Sequence, residues 1–274
     1  MAYTNAYVPA LDAGSLAGSL QDADALLSGT GRFIRVHHVI DVYKPPLSLV
    51  GAVEVAAIAN AQREGARKLE ADVRQAFKAV AGDVTSGCEV ALTVEEGEMP
   101  RASALAARTS DITVFRHRGE GRVAFDPSFF EALLFHSGRP LFLTPETGAG
   151  SDLNHVAIGW NGSRESARAL AAAGPALQTA KSVSVITIGD ERKDRPTADE
   201  LVGQLQRCDI SAKLVRRDDK GGSTTTILSQ ACEDNGCGLL VLGAFSQSRV
   251  REVVLGGVTR KMLREPPLPL LIAH

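Results

Sequence analysis

The chain has 274 residues, of which 44% are hydrophobic, 23% are charged and 5% are aromatic, and its formal net charge is -2. This near-balance of charge argues against a nucleic-acid-binding protein, which normally carries a clustered basic face. The sequence has no apolar run of the roughly 20 residues that span a bilayer and no signal-peptide pattern at its N-terminus, so we expect a cytoplasmic protein without a membrane partner.

The first part of the chain alternates between strand-type and helix-type patterns. We predict strands at residues 6–11, 33–42, 89–94, 111–115 and 140–144. Between them we predict helices at residues 15–27, 53–80, 100–109 and 127–136. The helix at 53–80 is much longer than the others.

The second part of the chain repeats this order. Its predicted strands lie at residues 155–160, 182–188, 210–217, 239–244 and 268–273. Its predicted helices lie at residues 164–179, 198–208, 224–235 and 255–265. Five strands that alternate with four helices indicate a parallel sheet covered on both faces.

The two parts can be aligned with each other. The segment DITVF at 111–115 aligns with GLLVL at 238–242 at an offset of 127, and RPLFL at 139–143 aligns with LPLLI at 268–272 at an offset of 129. A duplicated α/β unit is the simplest account. We therefore predict a first domain at residues 1–148 and a second at 152–274, hereafter the first half and the second half, joined by a Gly/Ala/Ser-rich linker.

These residues resemble a tandem member of the universal stress protein family. The resemblance rests on WNGSRES and on the Gly243-to-Leu271 ending in the second half, and on EEGEMPRASALAARTSDITVF in the first half. It implies an α/β fold of two Rossmann-like domains, each a five-stranded parallel sheet of order 3-2-1-4-5 with helices on both faces. It also implies a stress-response protein in which the last strands of the two domains pair within the chain as a pseudo-dimer; a homo-oligomer is the alternative.

The resemblance raises the question of ATP. Family members that bind it carry G-x2-G-x9-G-[ST] after the fourth strand, and here that frame falls on Gly243, Ser246, Gly256 and Gly257, with Thr259 two positions later. The spacing is kept while two of the four residue types change. The alternative is that Gly243 ends a strand and that Gly256 and Gly257 allow a helix to pack closely on the sheet.

The turn after the first strand of the second half completes the candidate ATP site. The resemblance places Gly159, Asn161, Gly162 and Ser163 there, with Asn161 in the position of the family's adenosine-contacting Asp. Arg249 adds positive charge to the glycine loop. The alternative for the turn is an ordinary helix N-cap. The first half has no glycine pair at the required spacing and its acid, Asp12, comes one residue late, so we expect no nucleotide there.

Other reactive residues give little sign of chemistry. His37 and His38 are adjacent in a strand and point to opposite faces, so they cannot chelate one metal together. Cys232 and Cys237 have no second pair, which favours packed or free thiols over zinc. The charged run at 192–195 is expected to be a solvated loop. No catalytic motif is present, so we expect no metal and no enzyme, with weak ATP hydrolysis kept as an alternative.

Two functions follow from the resemblance. The first is a nucleotide-responsive stress regulator that binds ATP in its second half. The second is a scaffold of the same fold that binds no nucleotide and acts through an unknown protein partner.

Overall fold

The computed structural model describes residues 2–41, 52–85, 87–117, 126–149, 153–220, 222–244 and 257–274, with the backbone alone described for residues 52–59. The strands in these residues are β1 (Asn5–Pro9), β2 (Phe33–Asp41), β3 (Glu89–Gly97), β4 (Ile112–Arg116), β5 (Leu141–Thr144), β6 (His155–Gly159), β7 (Ser182–Ile188), β8 (Ala212–Arg217), β9 (Leu239–Gly243) and β10 (Leu270–Ala273). The α-helices in the same residues are α1 (Ala13–Leu26), α2 (Ala52–Val80), α3 (Met99–Ala107), α4 (Pro127–His136), α5 (Arg164–Ala172), α6 (Gly174–Thr179), α7 (Ala198–Arg207), α8 (Thr224–Asp234) and α9 (Gly257–Arg264). The predicted alternation is confirmed.

All these strands belong to one sheet of order β3-β2-β1-β4-β5-β10-β9-β6-β7-β8. Neighbouring strands are parallel within each half, in the predicted order 3-2-1-4-5. The two last strands, β5 and β10, pair antiparallel, with Leu271 opposite Phe142. The apolar edge of each half is therefore covered by the other half, which removes two exposed edges that would otherwise be prone to aggregation.

One predicted helix was wrong in extent. The segment expected to form a single helix at 164–179 forms α5 and α6, which meet at Ala173. Ala173 donates to the carbonyl of Ala169 and accepts from the amide of Leu177, so the hydrogen bonding is nearly continuous. Pro175, two residues further on, has no N–H to donate to the preceding turn, which is why a new helix begins here.

Two apolar clusters cover the two faces of the sheet. One contains side chains of α1, α2, α5, α6 and α7, and the other contains side chains of α3, α4, α8 and α9. Alternate residues of β1 point to opposite clusters: Ala6 and Val8 to the first, Tyr7 to the second. In each half, therefore, the crossover helices change from one face of the sheet to the other beside the first strand. This change lies between β1 and β4 in the first half and between β6 and β9 in the second half. Open α/β sheets bind ligands at the carboxyl ends of such strands.

Candidate functional site

The candidate nucleotide site lies where β6 and β9 end. The two strands are parallel neighbours, with Gly159 opposite Leu242. The predicted turn that follows Gly159 and the predicted loop that begins at Gly243 therefore start at the same edge of the sheet. The structure brings together the two segments that the resemblance had paired.

The turn after β6 is shaped by its own side chains. Asn161 Oδ1 accepts a hydrogen bond of 3.1 Å from the amide of Ser163, and Gly162 has φ +65°. Ser163 Oγ then accepts a bond of 3.1 Å from the amide of Ser166 and caps α5. The carbonyl oxygen of the Asn161 side chain is thus engaged within the turn.

A loop from the neighbouring crossover packs on this turn. Trp160 Nε1 donates to the Pro196 carbonyl at 3.1 Å, and Arg195 Nη1 donates to the Asn161 carbonyl at 3.2 Å. A Cβ built on Gly162 would lie 2.8 Å from Arg195 Cβ, so only glycine fits under the loop. The expectation of a solvated run at 192–195 holds for residues 192–194, which are exposed, but Arg195 is half-buried.

Gly243 has a packing role that the structure shows directly. A Cβ built there would lie 2.4 Å from the backbone carbon of Glu165 and 2.4 Å from the nitrogen of Ser166. Glycine therefore lets the first turn of α5 rest against the end of β9. The alternative for Gly243, that it ends a strand, is confirmed, and the packing of α5 against it is an addition from the structure. Whether Gly243 also approaches a phosphate stays a prediction.

The start of α9 is the described part of the predicted glycine loop. Gly257 is its first residue, and among the described residues no atom lies within 4 Å of a Cβ built there. Thr259 lies two residues further along and is buried. Ser246, Arg249 and Gly256 lie outside the described residues, so their places in the site stay predictions.

In the first half a buried ion pair occupies the equivalent place. Arg116 aligns with Gly243 at the offset of 127, and its guanidinium contacts Asp22 at Nη2–Oδ1 2.5 Å and Nε–Oδ2 2.8 Å. Asp22 also accepts from the Thr144 hydroxyl at 2.5 Å and from the Ala149 amide at 3.1 Å. Only 3% of the Asp22 side chain is exposed.

Arg116 fills the space beside α1. A Cβ built on Gly18 would lie 2.5 Å from Arg116 Cδ. Asp12, the acid that comes one residue late, caps α1 through bonds to the amides of Gly14 at 2.7 Å and Ser15 at 2.8 Å. Sequence analysis did not single out Arg116, although the alignment that pairs an arginine with Gly243 was a usable signal.

The histidines and cysteines behave as structural groups. His37 Nδ1 lies 2.9 Å from the Tyr7 hydroxyl and His38 Nδ1 lies 2.8 Å from the Ala10 carbonyl, on opposite faces of β2 as predicted. Cys232 and Cys237 are free thiols, and burial raises the pKa of Cys232 to about 12. The described residues hold no group of three or more His, Cys, Asp or Glu that could bind a metal ion. Of the described helices, none combines the length and hydrophobicity that a bilayer-spanning segment needs.

Comparisons with known proteins agree with this fold. Residues 153–274 match the model of the Universal stress protein family. A universal stress protein from Archaeoglobus fulgidus DSM 4304 is similar over 98% of this chain and 97% of its own, with 16% identity and a TM-score of 0.69. A Pseudomonas aeruginosa PAO1 protein described as functionally unknown is similar over 99% of this chain and 92% of its own, with 12% identity and a TM-score of 0.59. No curated protein sequence matches the chain.

Proposed function

From the match of residues 153–274 to the universal stress protein family, we propose that the chain is a stress-response regulator without catalytic activity that binds one ATP molecule in its second half. The first half is a second copy of the same unit that has lost its nucleotide. This reading combines the family of the second half with a fold that neighbours share over nearly the whole chain.

One observation carries the proposal, namely the difference between Arg116 and Gly243. In the first half the crossover point is closed by the Arg116–Asp22 pair. In the second half the aligned residue has no side chain, and no atom of the described residues lies within 4 Å of a Cβ built on Gly257 at the start of α9. Backbone N–H groups and the dipole at the start of α9 favour an anionic group in that space. One nucleotide per chain is the expected stoichiometry.

The loop that contains Arg195 and Pro196 packs on the turn after β6 and could link ATP binding to a change at the protein surface. Adenosine that approached Asn161 would meet the Arg195 guanidinium and the Trp160–Pro196 contact. We expect ATP to displace or reorder this loop, which would change the surface that a protein partner meets.

Isothermal titration calorimetry with ATP tests the proposal. The wild-type chain should bind one equivalent, and Gly257→Val should weaken binding at least tenfold because the new side chain enters the space before α9. Gly174→Val is the matched control, since Gly174 also begins a helix and has no atom within 4 Å of its Cβ position. No heat of binding at millimolar ATP, or equal losses in both variants, would refute the proposal.

The alternative is a scaffold that binds no nucleotide. The observation that favours it is the same loop, because Trp160, Arg195 and Pro196 already pack over the turn that adenosine would contact. Mass spectrometry of the freshly purified protein separates the two functions. A copurified adenine nucleotide contradicts the scaffold, and phosphate release from added ATP would instead indicate weak hydrolysis.

A further inference from the structure

A cavity of about 130 Å³ opens in the first half, far along the chain from the candidate nucleotide site. It lies at the carboxyl ends of β1 and β2, between α2 and α3. Its walls are mainly apolar and include Leu11, Val39, Leu69 and Met99. An apolar cavity of roughly 150 Å³ is large enough to bind benzene, so this one has the size of a single small ring.

The polar side of the cavity includes His37, which is hydrogen-bonded to Tyr7. Tyr7 is fully buried, and its hydroxyl lies 2.9 Å from His37 Nδ1. When the Tyr7 hydroxyl donates to Nδ1, that nitrogen holds no hydrogen. His37 Nε2 then carries the ring hydrogen and is a donor.

This last donor is poorly satisfied. His37 is 2% exposed, and its Nε2 contacts the Glu95 carboxylate only at 3.4 Å, without the alignment of a good hydrogen bond. The Glu95 side chain is half exposed. A buried donor with so long a contact is costly, and beside a cavity a ligand group can give it a better partner.

The charges around His37 limit the chemistry of that partner. Burial lowers the pKa of His37 below 6.5, so the ring is neutral at pH 7. An anionic ligand would meet the carboxylates of Glu95 and Asp41 without a compensating cation from His37. The charge of Arg35 also acts on His37, but Arg35 does not line the cavity. A protonated amine has no lone pair to accept from Nε2. A hydroxyl group can accept from Nε2 and donate to Glu95 at the same time.

We propose that the first half binds a small alcohol or phenol in this cavity, with its hydroxyl between His37 Nε2 and Glu95 and its apolar body against Leu69 and Met99. The distance of 3.4 Å between His37 Nε2 and Glu95 Oε1 is too short to hold a hydroxyl with a hydrogen bond of about 2.8 Å to each atom. The Glu95 carboxylate therefore moves away by about 2 Å on binding. Its exposure to solvent leaves it room to do so. The site is independent of ATP binding in the second half.

The probe that tests this site is phenol, and the readout is the methyl resonance of Met99. The chain has three methionines, so a sample labelled with ¹³C at the methionine methyl groups gives few signals to assign. Phenol at low millimolar concentration should shift the Met99 signal in a saturable way. Met262, buried in the opposite half, should not respond.

Two variants and a second probe make the result decisive. Leu69→Trp should fill the cavity and abolish the shift, whereas Leu105→Trp should not, because Leu105 is also an exposed leucine but does not line the cavity. Benzene, which lacks the hydroxyl, should bind at least about tenfold more weakly, because both hydrogen bonds of the proposed site are lost. Equal binding of benzene and phenol overturns the role of His37 and Glu95. No saturable Met99 shift, or an unchanged shift in Leu69→Trp, overturns the site.

Discussion

Arg116 and Asp22 form a two-point ion pair in which both side chains are largely buried, at 19% and 3% exposure. The pair joins the end of β4 to α1, and Asp22 extends the contact to Thr144 at the end of β5. The aligned residue in the second half, Gly243, has no side chain, and there the backbone of α5 packs against the strand end instead.

Removing the cation should destabilise the protein strongly. Arg116→Met leaves the Asp22 carboxylate buried without its partner, and we expect a loss of about 3 kcal/mol in the free energy of unfolding. Arg74→Met removes an exposed pair with Glu70 and should cost less than about 1 kcal/mol. Urea denaturation measures both. Equal losses would mean that the Arg116 pair contributes no more than a surface pair.

The two glycines of the candidate site should respond oppositely to alanine. Gly243→Ala forces a Cβ against the α5 backbone, and we expect a cost of about 2 kcal/mol or more. Gly257→Ala meets no atom of the described residues and should be neutral or stabilising by up to about 1 kcal/mol, because alanine favours the helix. Thermal unfolding compares the two. A tolerated Gly243→Ala would contradict the close packing of α5 on β9.

The free energy of unfolding should fall below pH 6.5 through His37. Burial lowers the pKa of His37, with Arg35 and His38 acting in the same direction and Glu95 opposing. The unfolded chain therefore binds a proton at a higher pH than the folded chain does. The contribution of neutral His37 is fully present above pH 6.5 and is lost as the pH falls from 6.5 through the folded pKa.

The variant His37→Gln isolates this effect, because glutamine does not titrate. The wild type should lose more stability than His37→Gln between pH 7.5 and pH 5, measured by urea denaturation. Burial also lowers the pKa of His117, so His117→Gln serves as the second variant. Parallel pH profiles for wild type and His37→Gln would contradict the prediction.

The two halves should unfold together. Both apolar clusters contain side chains of both halves, and Phe142 and Leu271 at the seam are fully buried. Trp160 is the single tryptophan and reports on the second half. Arg116→Met, a change in the first half, should lower the midpoint of the Trp160 fluorescence transition as much as that of circular dichroism. A Trp160 midpoint that stays at the wild-type value would show that the halves unfold independently.

The sequence was a good guide wherever local pattern decides structure. The bounds of α4 and β7 were predicted to the residue, since Pro127 marks a helix start and SVSVITI is rich in β-branched residues. The break at Ala173 was missed because alanine and leucine keep helical spacing across it. The order of strands followed from the family resemblance and not from the pattern of either half alone.

The site was harder to predict because its contacts are distant in sequence. Arg116 and Asp22 are separated by 94 positions, and Arg195 reaches Asn161 across 34. Neither Arg116 nor Arg195 lies in a motif, so no local sequence pattern marks these two residues. The spacing of the glycines identified Gly243 as a candidate site residue. Spacing alone could not show whether glycine is needed there for the approach of a phosphate or for the close packing of the α5 backbone.

The antiparallel pairing of β5 with β10 has a consequence for how the two halves can communicate. Every strand of the first half runs opposite to every strand of the second, so the ligand-binding ends of the two half-sheets face opposite edges of the molecule. ATP in front of α9 and a hydroxyl compound beside His37 would thus bind at opposite poles. Binding of one ligand can affect binding of the other only through the buried β5–β10 pair, where a shift of Leu271 relative to Phe142 changes the packing of both halves.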